Sequence, residues 1–178
     1  MTRICQYRRG TTRWWRLIAA AIVVLVGVSV QYQDAGAVDV PAPDFSVATL
    51  TGDTYTSATL KGQPTLLVFW APWCKVCQKE LPALAEFWQH AKPAALRMLS
   101  IGFADSRGSV EEFVNARSSV FLFPTAFDEG NHMARSYRIN ATPTSVLVND
   151  QGFVVLVHRG ARLLQNVQFR EFLSTLKG

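Results

Sequence analysis

The chain has 178 residues and a formal charge of +5, and this charge is concentrated at one end. Five arginines and one aspartate lie in residues 1–37, which leaves residues 38–178 with a net charge of +1. So small a basic excess argues against nucleic-acid binding by the larger part, because such surfaces use many cations to neutralise phosphates. The length fits one domain with a short N-terminal appendage.

The N-terminal segment has the pattern of a targeting signal. Arginines precede an apolar run over residues 17–30, and small residues follow at 35–37. The run is short for a membrane-spanning helix, but Trp14 and Trp15 could extend it at the membrane interface. The pattern therefore fits both a cleaved signal peptide and a retained anchor with a cytoplasmic N-terminus. Either one would place residues 38–178 in the periplasm or on the outer face of a bacterial cytoplasmic membrane.

The elements predicted after this segment alternate between strands and helices. A proline-rich link, residues 38–46, leads into the domain at 47–178. Hydrophobic periodicity and turn signals predict, in chain order, a strand at 45–50, a buried strand at 65–70, a helix after Cys77, a strand at 96–103, a helix from Ser109 with Glu112 completing a capping box, an extended piece from Phe121, a short helix at 131–137, a β-hairpin at 144–158 and an amphipathic C-terminal helix from Val167. This order favours a three-layer α/β sandwich on a mixed sheet.

Cys74 and Cys77 follow the buried strand directly and stand at the start of the next helix. The unpaired N–H groups and partial positive charge of a helix N-terminus favour a thiolate over a thiol. Cys74 is therefore the expected nucleophile, partly exposed, and Cys77 is the thiol that resolves a mixed disulfide. A bridge across so small a loop contributes little stability. Zinc is disfavoured because Cys5, the remaining cysteine, lies in the N-terminal segment and leaves no second pair.

The chain resembles the thioredoxin superfamily, and within it the exported TlpA/ResA/DsbE-like branch. Five local matches carry the resemblance: Ala42-Pro43-Asp44-Phe45, Phe69-Trp70-Ala71-Pro72-Trp73-Cys74-Lys75-Val76-Cys77, Glu80-Leu81-Pro82, Tyr137-Arg138-Ile139-Asn140-Ala141-Thr142-Pro143-Thr144 and Asn149-Asp150-Gln151-Gly152. It implies a thioredoxin-like three-layer sandwich with a mixed central sheet, and the αβ insertion of this branch near 104–130. It also implies a thiol–disulfide oxidoreductase whose redox group is a Cys74–Cys77 disulfide, with no other cofactor and no metal.

The resemblance gives roles to further residues near the cysteine pair. Pro143 is expected in the cis form beside the active site, where it and Thr142 would contact the substrate peptide. Glu80 lies one helical turn past Cys77 and is expected to affect proton transfer at the cysteines. A carboxylate in the first turns of a helix also stabilises the helix dipole, so both roles remain open for Glu80.

Two residues receive roles from their own chemistry. Lys75 could stabilise the thiolate of Cys74 by its charge, although an exposed lysine screened by salt is the simpler interpretation. Trp73 is expected to frame the active-site surface and to contact the substrate. Two departures from the family leave the direction of electron flow open. Val68 or a neighbouring apolar residue replaces the buried aspartate of cytoplasmic thioredoxins, and Lys75-Val76 replaces the usual dipeptide between the cysteines.

The resemblance implies a protein that reduces disulfides of extracytoplasmic client proteins, while a membrane electron donor restores its dithiol. Cytochrome c maturation and disulfide repair are the processes it suggests, and no nucleic-acid partner is expected. Two alternatives remain: disulfide donation or isomerisation, and a non-enzymatic Cu(I)-binding module in which His158 would join Cys74 and Cys77. A peroxidase is disfavoured because Trp73, and not a threonine-centred pocket, precedes Cys74.

Overall fold

The computed structural model describes residues 40–176, so the predicted targeting segment lies outside the described residues. Within that range the strands are β1 (Val40–Pro41), β2 (Ser46–Ala48), β3 (Thr54–Thr56), β4 (Thr65–Trp70), β5 (Arg97–Gly102), β6 (Thr125–Phe127), β7 (Thr144–Val148) and β8 (Phe153–Arg159). The α-helices are α1 (Ser57–Leu60), α2 (Lys75–His90), α3 (Arg107–Asn115), α4 (His132–Ser136) and α5 (Val167–Thr175). Between residues 40 and 176, none of the helices combines the length and apolar character that a membrane span requires.

The central strand β4 organises a six-stranded mixed sheet of order β1-β8-β7-β4-β5-β6. All six of its side chains are buried, as expected for an apolar strand covered on both faces. It runs parallel to β5 and antiparallel to β7, where Phe69 lies opposite Thr144. Since β4 ends where β7 begins, the turn that carries Cys74 and the loop that carries Pro143 meet at one edge of the sheet.

Helices cover both faces of the sheet, and the alternation of β4 decides which side chain meets which layer. Leu66, Val68 and Trp70 pack with the apolar side chains of α2, α3 and α5. Leu67 and Phe69 point to the other face and pack with those of α1 and α4. Each fully buried side chain of this size contributes about 1.5–3 kcal/mol. The three-layer thioredoxin-like sandwich predicted from the sequence is confirmed.

The αβ insertion is confirmed as α3 followed by β6, which extends the sheet parallel to β5. The predicted start of α3 at Ser109 is wrong. Ser106 is the N-cap, and its side chain accepts a hydrogen bond from the backbone N–H of Ser109 at 3.1 Å. Either serine could cap a helix, and the earlier one adds a turn of backbone hydrogen bonds.

Three other boundaries differ from the sequence-based expectation. The predicted link at 38–46 contributes β1, which pairs with β8 at the edge of the sheet. The first predicted strand is shortened to β2 and pairs with β3 in a separate two-stranded sheet. Helix α2 begins before Cys77, at Lys75, because Cys74 caps it.

Candidate active site

The turn between β4 and α2 places Cys74 at the N-cap of the helix. Its backbone N–H donates to the carbonyl of Ala71 at 3.1 Å, and its Sγ accepts from the backbone N–H of Cys77 at 3.0 Å. The two sulfurs form a disulfide, with the Cα atoms 5.2 Å apart. Both sulfurs therefore lie in the first turn of α2, where the helix dipole favours a thiolate once the bond is reduced.

The disulfide is accessible from one side only. Cys74 is 5% exposed and Cys77 is fully buried. Cys74 is thus less exposed than the sequence predicted, because a sulfur that caps the helix and bonds to Cys77 turns toward the protein. As expected, Cys74 is the more solvent-exposed of the two cysteines.

Exposed apolar side chains flank the buried disulfide. Trp73 precedes Cys74 and is 58% exposed, and Val76 lies between the cysteines and is 46% exposed. Lys75 is also exposed, and the one salt bridge found within residues 40–176 joins two other residues, Arg107 and Glu111. An apolar rim with a reactive group at its centre suits the docking of a protein or peptide.

The loop before β7 supplies the facing wall of the site. The Thr142–Pro143 peptide bond is cis, as predicted. The carbonyl of Pro143 accepts from the backbone N–H of Gly160 at 2.8 Å, and the hydroxyl of Thr144 donates to the carbonyl of Ala141 at 2.8 Å. These bonds hold the loop, while the backbone of Thr142 has no hydrogen-bond partner inside the described range. An extended client segment could therefore pair with it.

Glu80 joins α2 to the loop between β8 and α5. Its two carboxylate oxygens accept the backbone N–H groups of Arg162 at 2.9 Å and of Leu163 at 3.0 Å. Hydrogen bonds to an ionised acceptor are about twice as strong as neutral ones. The carboxylate of Glu80 therefore holds this loop through two hydrogen bonds. The expected effect of Glu80 on proton transfer at the cysteines remains a prediction. The partners are more than 80 residues away in the chain, and no local sequence signal indicated them.

The core beneath the disulfide contains a polar chain that sequence reasoning missed. The indole N–H of Trp70 donates to the hydroxyl of Ser100 at 3.3 Å, which in turn donates to the hydroxyl of Thr125 at 2.8 Å. All three residues are buried. Val68, also buried, belongs to the same apolar cluster as Cys77, so β4 offers the inner sulfur no carboxylate there.

The hydrogen bonds of His158 are relevant to the alternative that the chain is a Cu(I)-binding module. Its Nε2 donates to the carbonyl of Ala161 at 3.0 Å, and its Nδ1 accepts from the side-chain amide of Asn166 at 3.3 Å. Both ring nitrogens are thus occupied. No group of three or more His, Cys, Asp or Glu side chains suited to a metal is found among residues 40–176.

Comparison with known proteins shows sequence similarity over the residues that form this site. The model of the AhpC/TSA family matches residues 38–157. Over 114 residues the chain is 33% identical to the thiol-disulfide oxidoreductase ResA of Bacillus thuringiensis (strain Al Hakam), which covers 64% of this chain and 65% of that relative. The chain thus spans slightly less than two thirds of that protein's length.

Two further matches cover a larger share of the similar protein. ResA of Bacillus subtilis (strain 168) is 30% identical over 136 residues, 76% of this chain and 74% of the relative. A solved structure from Chlorobium tepidum, assigned as thiol:disulfide interchange protein DsbE, has a TM-score of 0.67 and 25% identity over 78% of this chain and 96% of that chain. The family match includes both cysteines, Glu80 and the loop of Pro143.

Proposed function

The chain belongs to the AhpC/TSA family, and on that premise we propose that it is an exported thiol–disulfide oxidoreductase that reduces disulfides of client proteins. One observation carries the proposal: a disulfide at a helix N-terminus, open to solvent at Cys74 and closed at Cys77. That asymmetry supports Cys74 as the attacking sulfur and Cys77 as the resolving sulfur. The names of the similar ResA and DsbE proteins support the same type of reaction.

The proposed reaction is a pair of thiol–disulfide exchanges. In the reduced chain, the thiolate of Cys74 attacks one sulfur of the client disulfide, that S–S bond breaks, and the client's other sulfur leaves as a thiolate. The thiolate of Cys77 then attacks Sγ of Cys74 and releases the second client sulfur. Two electrons pass from the chain to the client. The two protons that the cysteines give up to solvent are balanced by two that the client thiolates take up.

The surroundings of the disulfide support a protein client. Trp73 and Val76 provide apolar contact on one side, and the unpaired backbone of Thr142 provides hydrogen bonds beside Pro143. An extended segment lying between them would bring its own disulfide to Cys74. Clients that fit the proposal are exported proteins whose cysteines must be reduced, including apocytochromes c before haem attachment.

The direction of electron flow depends on a partner outside this chain. We assign the restoring step to a membrane thiol–disulfide donor on the outer face of the cytoplasmic membrane. The N-terminal basic and apolar segment supports export, either as a signal peptide or as an anchor.

The test is the redox state of Cys74 and Cys77 in living cells. Cells are quenched in acid, free thiols are alkylated with a mass tag, and the fraction of reduced chain is measured. A mostly reduced pair is expected for a reductase. A mostly oxidised pair would instead favour disulfide donation. Insulin and hydrogen peroxide are then offered to the purified, reduced chain. Turnover of peroxide without reduction of insulin would contradict the proposal.

A further inference from the structure

Trp73 is the most exposed aromatic side chain near the disulfide, and it is nevertheless held in place. Its indole N–H donates to the carbonyl of Ala104 at 3.1 Å, while 58% of the residue remains exposed. Ala104 lies just beyond the end of β5, in a segment that packs beside the active-site turn. The hydrogen bond therefore fixes the orientation of the ring without burying it.

The backbone conformation of Ala104 that directs this carbonyl toward Trp73 requires stabilising contacts. Its φ of 56° lies in the left-handed region, which residues with a Cβ seldom adopt. The side chain of Asn131 accepts the backbone N–H of Ala104 at 2.7 Å. Strained backbone persists where surrounding contacts determine it, and it is concentrated at functional sites. The contact made by the backbone N–H of Ala104 in this conformation is with the amide oxygen of Asn131.

Asn131 is in turn bonded to Asp128, which follows the end of β6 and is itself bonded to Gly102 at the end of β5. The backbone N–H of Asp128 donates to the carbonyl of Gly102 at 2.9 Å, and the backbone N–H of Asn131 donates to the carbonyl of Asp128 at 3.0 Å. Asp128 is 3% exposed, and its carboxylate accepts the backbone N–H of Met133 at 2.9 Å at the start of α4. A continuous chain of hydrogen bonds thus runs from the sheet through Asn131 and Ala104 to the ring of Trp73.

The outer half of this chain contributes little to holding the core together. Ala104 is exposed and Asn131 only half-buried, so water could satisfy the same groups if the bonds were absent. Among residues 40–176, Trp73 is the largest of the exposed hydrophobic side chains. A bonded, exposed aromatic ring loses little further freedom when a partner binds, which favours recognition.

We propose that Asn131 is a positioning residue for client recognition, because it sets the backbone of Ala104 and thereby the ring of Trp73 against a docked protein disulfide. This inference rests on the proposed function. Asn131 does not touch the sulfurs and acts only through Trp73. It should therefore affect large disulfide substrates that reach the ring and leave small ones unaffected.

The test replaces Asn131 by glycine in the full chain, purified in mild detergent. Asn131 has a φ of 57°, so glycine keeps the backbone conformation and removes only the amide acceptor. The reduced chain is mixed with insulin or with bis(2-hydroxyethyl) disulfide, quenched in acid and mass-tagged. Asn131→Gly should lower the second-order rate constant for insulin roughly three- to tenfold, the loss expected for one hydrogen bond. The constant for the small disulfide should be unchanged.

Three further variants separate positioning from a general structural effect. Asn131→Asp keeps an acceptor for Ala104 and should restore the rate with insulin. Asn149→Gly removes an equivalent amide, which accepts the backbone N–H of Phe153 at 2.8 Å in the hairpin turn far from the disulfide, and should leave both rates unchanged. In a Trp73→Phe background, which lacks the indole N–H, Asn131→Gly should cause no further loss.

The outcomes distinguish this inference from the proposed function. A wild-type chain that reduces the small disulfide but not insulin would contradict the proposed function. A wild-type chain active on both, with Asn131→Gly equally active on both, would overturn the role of Asn131. If Asn131→Gly lowered the rate constants for insulin and for the small disulfide equally, the effect would be structural and the inference would be overturned. The same conclusion would follow if the effects of Asn131→Gly and Trp73→Phe on the rate constant for insulin were additive.

Discussion

The backbone N–H of Cys77 donates a hydrogen bond to Sγ of Cys74 at 3.0 Å, so the more exposed of the two sulfurs is also the cap of α2. After reduction the same N–H would face a thiolate. A charged acceptor makes such a bond stronger, and the helix dipole acts in the same sense. The first turn of α2 therefore stabilises the reactive form of Cys74.

Substitution of the two cysteines should have different consequences. Serine is a good N-cap residue, so Cys74→Ser should keep the helix start while abolishing the reduction of insulin. Cys77→Ser should attack clients but fail to release them, and mixed disulfides should accumulate on non-reducing gels. Cys74→Ala should be about 1 kcal/mol less stable than Cys74→Ser in urea unfolding, since alanine cannot cap. Residual turnover in Cys74→Ser would show that the roles are assigned to the wrong sulfurs.

Glu80→Gln should loosen the loop that carries Arg162 and Leu163. A neutral amide can accept one of the two N–H groups but presents its own NH₂ to the other. The free energy of unfolding should fall by about 1–3 kcal/mol, as for loss of a hydrogen bond to a charged group. Amide hydrogen exchange at Arg162 and Leu163 should become faster.

The matched control for this change is Glu86→Gln, an exposed glutamate of the same helix. Its effect should stay within about 0.5 kcal/mol, as is usual for surface substitutions. If both variants lowered the free energy of unfolding equally, the two hydrogen bonds accepted by the Glu80 carboxylate would not contribute to stability. If Glu80→Gln slowed insulin reduction without changing exchange at the loop, the role in proton transfer would be favoured.

Ser100→Ala should destabilise the core through a group that it leaves unpaired. The indole N–H of Trp70 is fully buried and its partner is the hydroxyl of Ser100. An unsatisfied buried donor costs about 1–3 kcal/mol, which urea unfolding would detect. Ser145→Ala removes a buried hydroxyl from β7 that does not bond to Trp70 and should have a smaller effect. Equal losses for the two variants would argue against the polar chain as the cause.

Tyr137 should make the fold sensitive to alkaline pH. Burial, and after it the charge of Asp44, raises the pKa of this phenol well above its usual value, and its hydroxyl donates to the carbonyl of Pro43 at 3.2 Å. Above about pH 10 the unfolded chain loses the phenol proton while the folded chain keeps it. The unfolded state then binds fewer protons, so the free energy of unfolding falls as the pH rises.

Urea midpoints measured between pH 8 and 11 would test this dependence. Tyr137→Phe should be less stable at pH 8, because the hydrogen bond to Pro43 is lost, and should decline less steeply above pH 10. Asp44→Asn removes the neighbouring charge and should also reduce the slope. A slope unchanged by Tyr137→Phe would assign the alkaline sensitivity to other groups.

Much of the fold follows from local sequence. The six-residue apolar run at 65–70 is β4 without a change of boundary, and the hairpin turn at 149–152 lies where its polar residues predicted it. Burial on both faces requires apolar side chains at every position of a strand, and a tight turn requires particular residues, so both leave signals within a few positions. The start of α3 was missed because Ser106 and Ser109 are both good caps, and local chemistry does not choose between them.

The sequence by itself determined the chemistry of this protein: two cysteines at the start of a helix, directly after a buried strand. Only the tertiary structure decided how that chemistry is held. Glu80 meets Leu163, and Asn131 meets Ala104, because the sheet brings distant segments together at one edge. A hydrogen bond between residues far apart in the chain has no periodicity and no fixed spacing, so it becomes visible only when the strands are in register.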